Sequence, residues 1–475
     1  MDRNKELAKN TIILTVGKIC TQFVSFFLLP LYTSLLTPEE YGIVDLFNTY
    51  TMLLVPLFNL QLESGLFRFM LDYRDDKKKQ SVIFSTVLIA NIVQIIIYLV
   101  FFLVFQNFIH SEYKNFLAFD VICSILLNTF LQFPRGRGEN MIYSAASCIS
   151  ASATIILNVV FIVGIGLRAY GLFLATIIAK ILTILYLIIS TRAWGFFSVT
   201  AFDKKLLKNI CKYSIPLVPN QLSWWVVGAS DRTIISHVIG VTANGIYSVA
   251  NKFSTVYMTF YNIFNLSWTE TVSLHMFDSD RDLFLTETIN TMFKLFASVC
   301  VGIIACMPFV FPVLVNNQYA TAYYQIPILM VAVLFQVMVG LYSAVYVALK
   351  KSIEIAKTSF LAAIINIIVD VLLIKFIGIF AASISTLVAY ATMAIYRYVD
   401  IRKYAKIELQ KKTLLLTTII LLVTLYSYYS GNILLRIVSL LIVVLYSFII
   451  NRSFLRGANN MIKNKINNIL GERHK

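Results

Sequence analysis

Charged side chains inside long apolar segments are the residues of this sequence that could do chemistry. The embedded cations are Lys18, Arg68, Lys180, Arg232, Lys252 and Lys294. The embedded acids are Glu63, Asp231 and Asp370. A charge that faces lipid is energetically costly, so each of these groups should pair or line a polar cavity. Buried cations suit a polyanion such as a pyrophosphate, and buried carboxylates suit a proton or a sodium ion.

A polar stripe runs along the first apolar segment. Thr11, Thr15, Lys18, Gln22 and Ser25 are spaced by 4, 3, 4 and 3 residues, which places them on one helical face. Such a face should turn toward a water-filled cavity or toward other helices to which its polar groups bond. Because Lys18 carries a charge, we favour the cavity, and we take Lys18 and Gln22 as candidate substrate ligands.

The other cations have structural interpretations as well as functional ones. Arg68 could extend to the membrane interface along its aliphatic stem. Arg232 could be neutralised by Asp231, although adjacent positions of a helix point about 100° apart and pair poorly. Lys180 and Lys252 have no carboxylate close in sequence, so they are the better substrate candidates. The predicted substrate site is Lys18, Gln22, Arg68, Lys180, Arg232 and Lys252.

The three embedded acids are candidates for ion coupling. Glu63, Asp231 and Asp370 could each bind H⁺ or Na⁺, but pairing of Glu63 with Arg68 and of Asp370 with Lys375, five residues later in each case, is the alternative. The sequence has no G-x-x-x-x-G-K-[ST] motif for an ATP-driven cycle and no H-E-x-x-H metal motif. We therefore expect no catalytic residues, no metal and no cofactor beyond a coupling ion.

The elements that carry these residues follow from composition. Of 475 residues, 59% are hydrophobic and only 13% are charged, whereas about a quarter are charged in soluble domains. Apolar runs of about 20 residues or more predict membrane-spanning helices. We expect an all-α polytopic membrane protein of about fourteen helices. Their approximate spans are 11–36, 41–70, 81–107, 115–134, 141–166, 170–191, 212–238, 243–273, 289–315, 323–349, 353–377, 379–400, 411–430 and 432–451.

The net charge of +16 reflects membrane topology rather than a nucleic-acid partner. Most of the 40 Lys and Arg residues lie in alternate loops, on the side of both termini, and this asymmetry places both termini in the cytoplasm. The loops on the other side are short. They offer no platform for a membrane enzyme such as a polysaccharide polymerase or ligase.

An internal repeat divides the chain. EYGIVDLFN at 40–48 resembles NGIYSVAN at 244–251, with Gly42 matching Gly245, and we expect each glycine to form a tight turn where the chain re-enters the membrane. Same-direction repeats indicate two parallel six-helix lobes, an architecture of transporters. The predicted organisation is an N-terminal lobe at 1–191, a cytoplasmic linker at 192–211, a C-terminal lobe at 212–400, an extra helix pair at 411–451 and a cytoplasmic basic tail at 452–475.

Three stretches carry a family resemblance. TPEEYGIVDL, SIPLVPNQLSWWVVGASDRTIIS and NGIYSVANKF resemble polysaccharide repeat-unit flippases of the Wzx type. These belong to the MOP superfamily, which also contains lipid II flippases and MATE drug exporters. The resemblance implies two lobes around a cationic cavity in the bacterial cytoplasmic membrane. It also implies alternating access that moves an undecaprenyl-pyrophosphate-linked oligosaccharide from the inner to the outer leaflet.

The resemblance also implies roles and partners. Lys18, Arg232 and Lys252 would hold the pyrophosphate, and the last two helices would help to form a groove for the lipid tail. Membrane lipids and the polysaccharide polymerase or ligase machinery would be the other partners. A MATE-like exporter of drugs or small molecules is one alternative, but it would need more buried acids than bases. A lipid II flippase is another, although that branch is richer in Arg on its first helix.

Overall fold

The computed structural model describes residues 26–109, 111–452 and 456, and these residues are almost entirely helical, with no β-strand among them. Ten of the described helices are long and apolar enough to cross a membrane. Three more long helices, Leu217–Val238, Val241–His275 and Phe380–Ile401, carry more polar residues and are not among the ten. The predicted all-α polytopic membrane fold is confirmed.

The described chain divides into two compact units. The first contains the described residues up to Lys252 and Asp370–Ala382, and the second contains Phe253–Val369 and the described residues from Ser383 onward.

The first unit is built from nine helices and the start of a tenth. They are α1 (Leu29–Leu35), α2 (Pro38–Asn59), α3 (Leu62–Leu71), α4 (Lys77–Phe105), α5 (Lys114–Arg137), α6 (Asn140–Asn158), α7 (Arg168–Thr191), α8 (Lys204–Ser214), α9 (Leu217–Val238) and α10 (Val241–His275). A π-helical turn, Val159–Gly164, extends α6. The core of this unit packs around Leu66 of α3, Phe84 of α4 and Phe133 of α5, all fully buried.

The second unit contains the rest of α10 and six further helices. They are α11 (Arg281–Leu314), α12 (Ile326–Ala348), α13 (Ser352–Ile377), α14 (Phe380–Ile401), α15 (Lys411–Tyr429) and α16 (Ile433–Ile450). Two of these, α13 and α14, also have residues in the first unit, because Asp370–Ala382 belongs to it. Val301 and Ala305 of α11 pack with Val443 of α16, which joins the predicted extra helix pair to this unit.

The predicted helix at 41–70 is interrupted. Thr37 and Glu40 form a capping box at the start of α2, with Pro38 in the first turn. The helix ends at Leu60 and Gln61, whose φ angles of 53° and 56° lie in the left-handed region. Hydropathy does not mark this break because apolar residues, among them Phe58, Leu60 and Leu62, continue through it.

The predicted linker at 192–211 also differs from expectation, because it contains most of α8. This helix is amphipathic: Ile210 is buried in the core of the first unit, and Lys204, Lys205 and Lys208 are exposed. Asp203 caps its first turn by accepting hydrogen bonds from two backbone N–H groups.

The prediction that the repeat glycines form tight turns is wrong. Gly42 lies within α2 and Gly245 within α10, and a Cβ on Gly245 would meet the Pro38 carbonyl oxygen at 1.9 Å. A Cβ on Gly42 would meet the Val241 carbonyl oxygen at 2.1 Å. The Asn244 amide also donates to the Gly42 carbonyl over 2.9 Å. The two repeat motifs therefore cross each other, and glycine is needed for the close approach of two backbones.

Candidate functional site

Two of the predicted substrate ligands, Lys18 and Gln22, lie outside the described residues, as does the rest of the polar stripe at 11–25. The described part of the site is found on α2 to α10 and at the end of α13 that belongs to the first unit.

Arg232 on α9 pairs with Asp45 on α2. Its Nε lies 2.8 Å from Asp45 Oδ2, and both side chains are largely buried. The Arg232 Nη1 also donates to the Gly228 carbonyl one turn earlier. The Trp225 indole donates to the Thr49 carbonyl and binds the same two helices together. Arg232 therefore forms its ion pair with Asp45, while Asp231, on a different face of α9, still interacts with it electrostatically.

Lys252 lies close enough to Asp45 and Arg232 to interact electrostatically with both. No ion pair found in the described part of the chain includes Lys252. Asp45 thus interacts with both cations, and Asp231 is a second carboxylate that interacts electrostatically with Arg232. We refer to Asp45, Arg232 and Lys252 as the α2–α9–α10 charge cluster.

Lys180 on α7 pairs with Asp120 on α5, and its ammonium also donates to Ser124 Oγ over 2.8 Å. Lys180 has no carboxylate close in sequence, as expected, but Asp120, which is distant in sequence, faces it in the fold. A small pocket adjoins Asp120, and Asn48 and Thr176 contribute to its polar lining. This pair is balanced in charge, unlike the α2–α9–α10 charge cluster.

Arg68, in the last turn of α3, lies on an exposed surface and pairs with Asp72 over 2.7 Å. The alternative pairing of Arg68 with Glu63 is therefore wrong. Glu63, in the first turn of α3, is buried and accepts a hydrogen bond from the Asn59 side chain.

Asp231 and Asp370, the other candidate acids, interact electrostatically within the first unit. The Tyr247 hydroxyl donates to Asp231 Oδ2 over 3.0 Å. Asp370 is fully buried, and neither of its carboxylate oxygens has a hydrogen-bond partner among the described residues. The ion pairs in the described chain do not join Asp370 to Lys375, so the structural alternative for this acid is not observed.

Sequence reasoning missed three charged residues that the fold buries. Asp45 and Asp120 both lie inside predicted helices among apolar neighbours, and the rule applied to the other embedded acids would have found them. Arg397 lies close to the end of the predicted helix at 379–400, and in the structure it lies within α14 and is fully buried. The buried acids are therefore more numerous than expected, so the expected excess of buried cations is smaller.

Comparison with known proteins agrees with this architecture. Residues 7–268, more than half of the chain, match the family described as polysaccharide biosynthesis protein. The inward-closed lipid II flippase MurJ superposes with a TM-score of 0.69 at 14% identity, over 95% of this chain and 99% of that one. A MATE protein in complex with MaL6 gives a TM-score of 0.58 at 14% identity, over 83% of this chain and 95% of that one. An outward-facing multidrug resistance MATE transporter gives 0.56, also at 14% identity, over 83% and 95%.

No curated protein sequence matches the chain significantly. Identities this low show the fold alone. The class is thus a polytopic membrane protein with the fold that the MurJ flippase and the MATE transporters share, which is the fold that the resemblance implied. Within that class, the chain belongs to the polysaccharide biosynthesis protein family.

Proposed function

We propose that the chain is a flippase of the bacterial cytoplasmic membrane, a transporter rather than a catalyst. It moves an undecaprenyl-pyrophosphate-linked oligosaccharide from the inner to the outer leaflet by alternating access, for surface polysaccharide biosynthesis. Membership in the polysaccharide biosynthesis protein family and the fold shared with a lipid flippase over most of the chain support this proposal.

The observation that carries the proposal is the α2–α9–α10 charge cluster. Arg232 pairs with Asp45 and also interacts electrostatically with Asp231, so Lys252, which belongs to no ion pair found in the described chain, is the positive charge left for an anion. The remaining positive charge is buried in an apolar environment, where it attracts an anion more strongly than it would in water. A pyrophosphate carries the matching charge, and a lipophilic cation carries the opposite one.

The remaining parts of the proposal follow the predicted organisation. Two six-helix lobes, at 1–191 and 212–400, alternate around the substrate, and both termini are cytoplasmic. An ion gradient or the membrane potential drives the cycle, with Glu63, Asp231 and Asp370 as the candidate acids that bind H⁺ or Na⁺. Support for ion binding comes from Asp370, a buried carboxylate with no hydrogen-bond partner among the described residues.

The test is the thermal stability of the purified protein with three sets of ligands. They are an undecaprenyl-pyrophosphate-linked oligosaccharide, lipid II and a panel of lipophilic cations. A ligand that binds the folded state raises the apparent melting temperature by mass action. We expect stabilisation by the pyrophosphate-linked oligosaccharide, its loss in Lys252→Met, and its retention in Lys208→Met, which removes an exposed lysine of α8.

Other outcomes would change the proposal in defined ways. Stabilisation by lipophilic cations alone would overturn it in favour of a MATE-like exporter. Equal stabilisation by lipid II would assign the chain to the lipid II branch. If the pyrophosphate-linked lipid stabilises Lys252→Met as strongly as the unchanged protein, the charge cluster is not the binding site.

A further inference from the structure

A strained break separates α2 from α3 inside the first unit. Leu60 and Gln61 both adopt left-handed backbone angles, with φ of 53° and 56°. This conformation is unfavourable for residues with a Cβ, and a leucine is an unusual occupant. In membrane proteins, broken helices occur where irregular backbone is buried in protein, and unwound segments of transporter helices commonly bind ions.

Glu63 lies directly after this break. Its side chain is only 7% exposed, and it accepts hydrogen bonds from the Asn59 amide and from its own backbone N–H. No ion pair in the described part of the chain includes Glu63, since the nearby Arg68 pairs with Asp72. A buried carboxylate with no opposite charge is costly, so this group requires a compensating cation or proton.

One amide side chain from α4 reaches the same break, and a second lies one turn away from it on that helix. The Gln94 amide donates to the Asn59 carbonyl oxygen over 3.1 Å. One turn earlier on the same face of α4, the Asn91 amide donates to the Thr129 hydroxyl of α5. Each of these amides uses its N–H₂ group and leaves its oxygen for another partner.

The amide oxygens at this place have no donor. Asn59 Oδ1, Asn91 Oδ1 and Gln94 Oε1 are all buried, and none has a hydrogen-bond partner among the described residues. Asn59 and Asn91 are fully buried, and Gln94 is 8% exposed. Asn59 Oδ1 belongs to the same amide that bonds Glu63, so covalent geometry keeps it next to the carboxylate. Buried acceptors without donors in a native protein call for an unseen water or ion.

We infer that the α2–α3 break is a sodium site, formed by the Glu63 carboxylate with the Asn59, Gln94 and Asn91 side-chain oxygens as its ligands. Oxygen ligands are what hard cations take, and a single carboxylate balances one positive charge. A divalent ion would leave a net positive charge in an apolar environment. A proton on Glu63 would neutralise the carboxylate but would leave the amide oxygens without partners. A water molecule would donate hydrogen bonds to the amide oxygens but would leave the charge of the Glu63 carboxylate uncompensated.

This site gives one of the three candidate coupling acids, Glu63, a specific ion and specific ligands, and it shares no residue with the other two, Asp231 and Asp370. It extends the proposed function, in which an ion gradient or the membrane potential supplies the driving force. Cation binding can be measured without any lipid substrate. A result that contradicts the sodium site can therefore be distinguished from one that contradicts the flippase proposal.

The experiment measures the melting temperature of the full-length purified protein against NaCl at constant ionic strength, with KCl or choline chloride as the balancing salt. We expect saturable stabilisation by Na⁺ that K⁺ does not reproduce. Loss of the charged ligand in Glu63→Gln should weaken the apparent Na⁺ affinity about tenfold or more. Gln94→Leu should weaken it less, because a neutral ligand is lost.

Glu287→Gln is the matched control: it removes an exposed carboxylate of α11 and should leave the Na⁺ dependence unchanged. Asp370→Asn is a comparison rather than a control, because Asp370 belongs to the proposed coupling acids. The Na⁺ response that Glu63→Gln removes is assigned to the α2–α3 break, and any response that only Asp370→Asn removes is assigned to Asp231 and Asp370. Direct ²²Na⁺ binding to protein that elutes as a monodisperse peak provides a second readout, in case Glu63→Gln changes the melting temperature by itself.

Three results would overturn the inference. One is the absence of Na⁺-specific stabilisation. Another is a Na⁺ dependence that Glu63→Gln leaves intact and Asp370→Asn abolishes, which would place the ion at the other acids. The third is a melting temperature that depends on pH but not on Na⁺, with the pH dependence lost in Glu63→Gln. This result would make Glu63 a proton site.

Discussion

The two units bury cationic side chains in different ways. In the first unit, Arg232 and Lys180 each contact a carboxylate from another helix, Asp45 and Asp120. In the second unit, Arg397 is fully buried, and the ion pairs of the described chain do not include it. Its guanidinium donates instead to neutral oxygens of α12 and α13: Val339 O, Ser343 Oγ, Ile355 O, Thr358 Oγ1 and Ser359 Oγ.

The two kinds of partner predict different losses of stability when the buried cation is removed. When a cation that is paired with a carboxylate is removed, the carboxylate stays buried without a compensating charge. The resulting loss in the free energy of unfolding is large. When Arg397 is removed, no charge remains. Several of its acceptors keep another bond, since Ser343 Oγ donates to the Val339 carbonyl and Thr358 Oγ1 to the Ile355 carbonyl. We therefore expect the ion pairs of the first unit to be the more sensitive feature, although Arg397 makes more hydrogen bonds.

The largest effect is expected for Asp45→Asn. This substitution leaves Arg232 and Lys252 close together with no carboxylate between them. The free energy of unfolding should fall by about 3 kcal/mol, the lower end for a broken buried ion pair, because both side chains of the pair retain some exposure. Denaturant titration in detergent measures it. Asp72→Asn, which breaks the exposed pair with Arg68, is the control and should cost under about 1 kcal/mol.

A double-mutant cycle on Lys180 and Asp120 should show the next effect. Lys180→Met should destabilise the protein by about 2–3 kcal/mol because it leaves the Asp120 carboxylate unpaired, and Asp120→Asn in the same chain should restore most of that loss. The coupling free energy from the four unfolding curves is the measured quantity. Additive losses would show that the two side chains do not form an ion pair in the membrane.

Arg397→Met sharpens the comparison in the second unit. We expect a loss of under about 2 kcal/mol, smaller than for Asp45→Asn, because lost hydrogen bonds are partly offset by no longer burying a charge. The same denaturant titration applies, and Arg402→Met, at an exposed position, is the matched control. A loss exceeding that of Asp45→Asn would contradict the view that neutral acceptors hold this arginine at low net cost.

Hydropathy and charge alternation were sufficient to predict the membrane fold. The structure places α12, α13, α15 and α16 within a few residues of their predicted spans, because long apolar runs leave little choice. The break at Leu60 and Gln61 was not predicted, since neither residue type favours left-handed backbone and only the surrounding packing imposes it.

The candidate site could be predicted only in part. Embedded Arg232 and Lys252 are visible in the sequence, and the structure brings both of them to Asp45. Their partners could not be predicted from local spacing, because Asp45 lies 187 residues before Arg232 and Asp120 lies 60 residues before Lys180. Local spacing instead suggested Asp231 for Arg232, a pairing that helix geometry disfavours.

The smallest effect on stability, and the one that bears most on function, is expected for Lys252→Met. Lys252 adds a second positive charge beside Arg232 without an ion pair of its own in the described chain, so its removal relieves repulsion and should change the free energy of unfolding by under about 0.5 kcal/mol. Transport of a pyrophosphate-linked oligosaccharide into proteoliposomes should nevertheless fall, because the charge cluster then has no excess positive charge. Lys252→Arg keeps the charge and should retain transport. A variant that lost stability and transport together would mean that Lys252 supports the fold rather than the substrate.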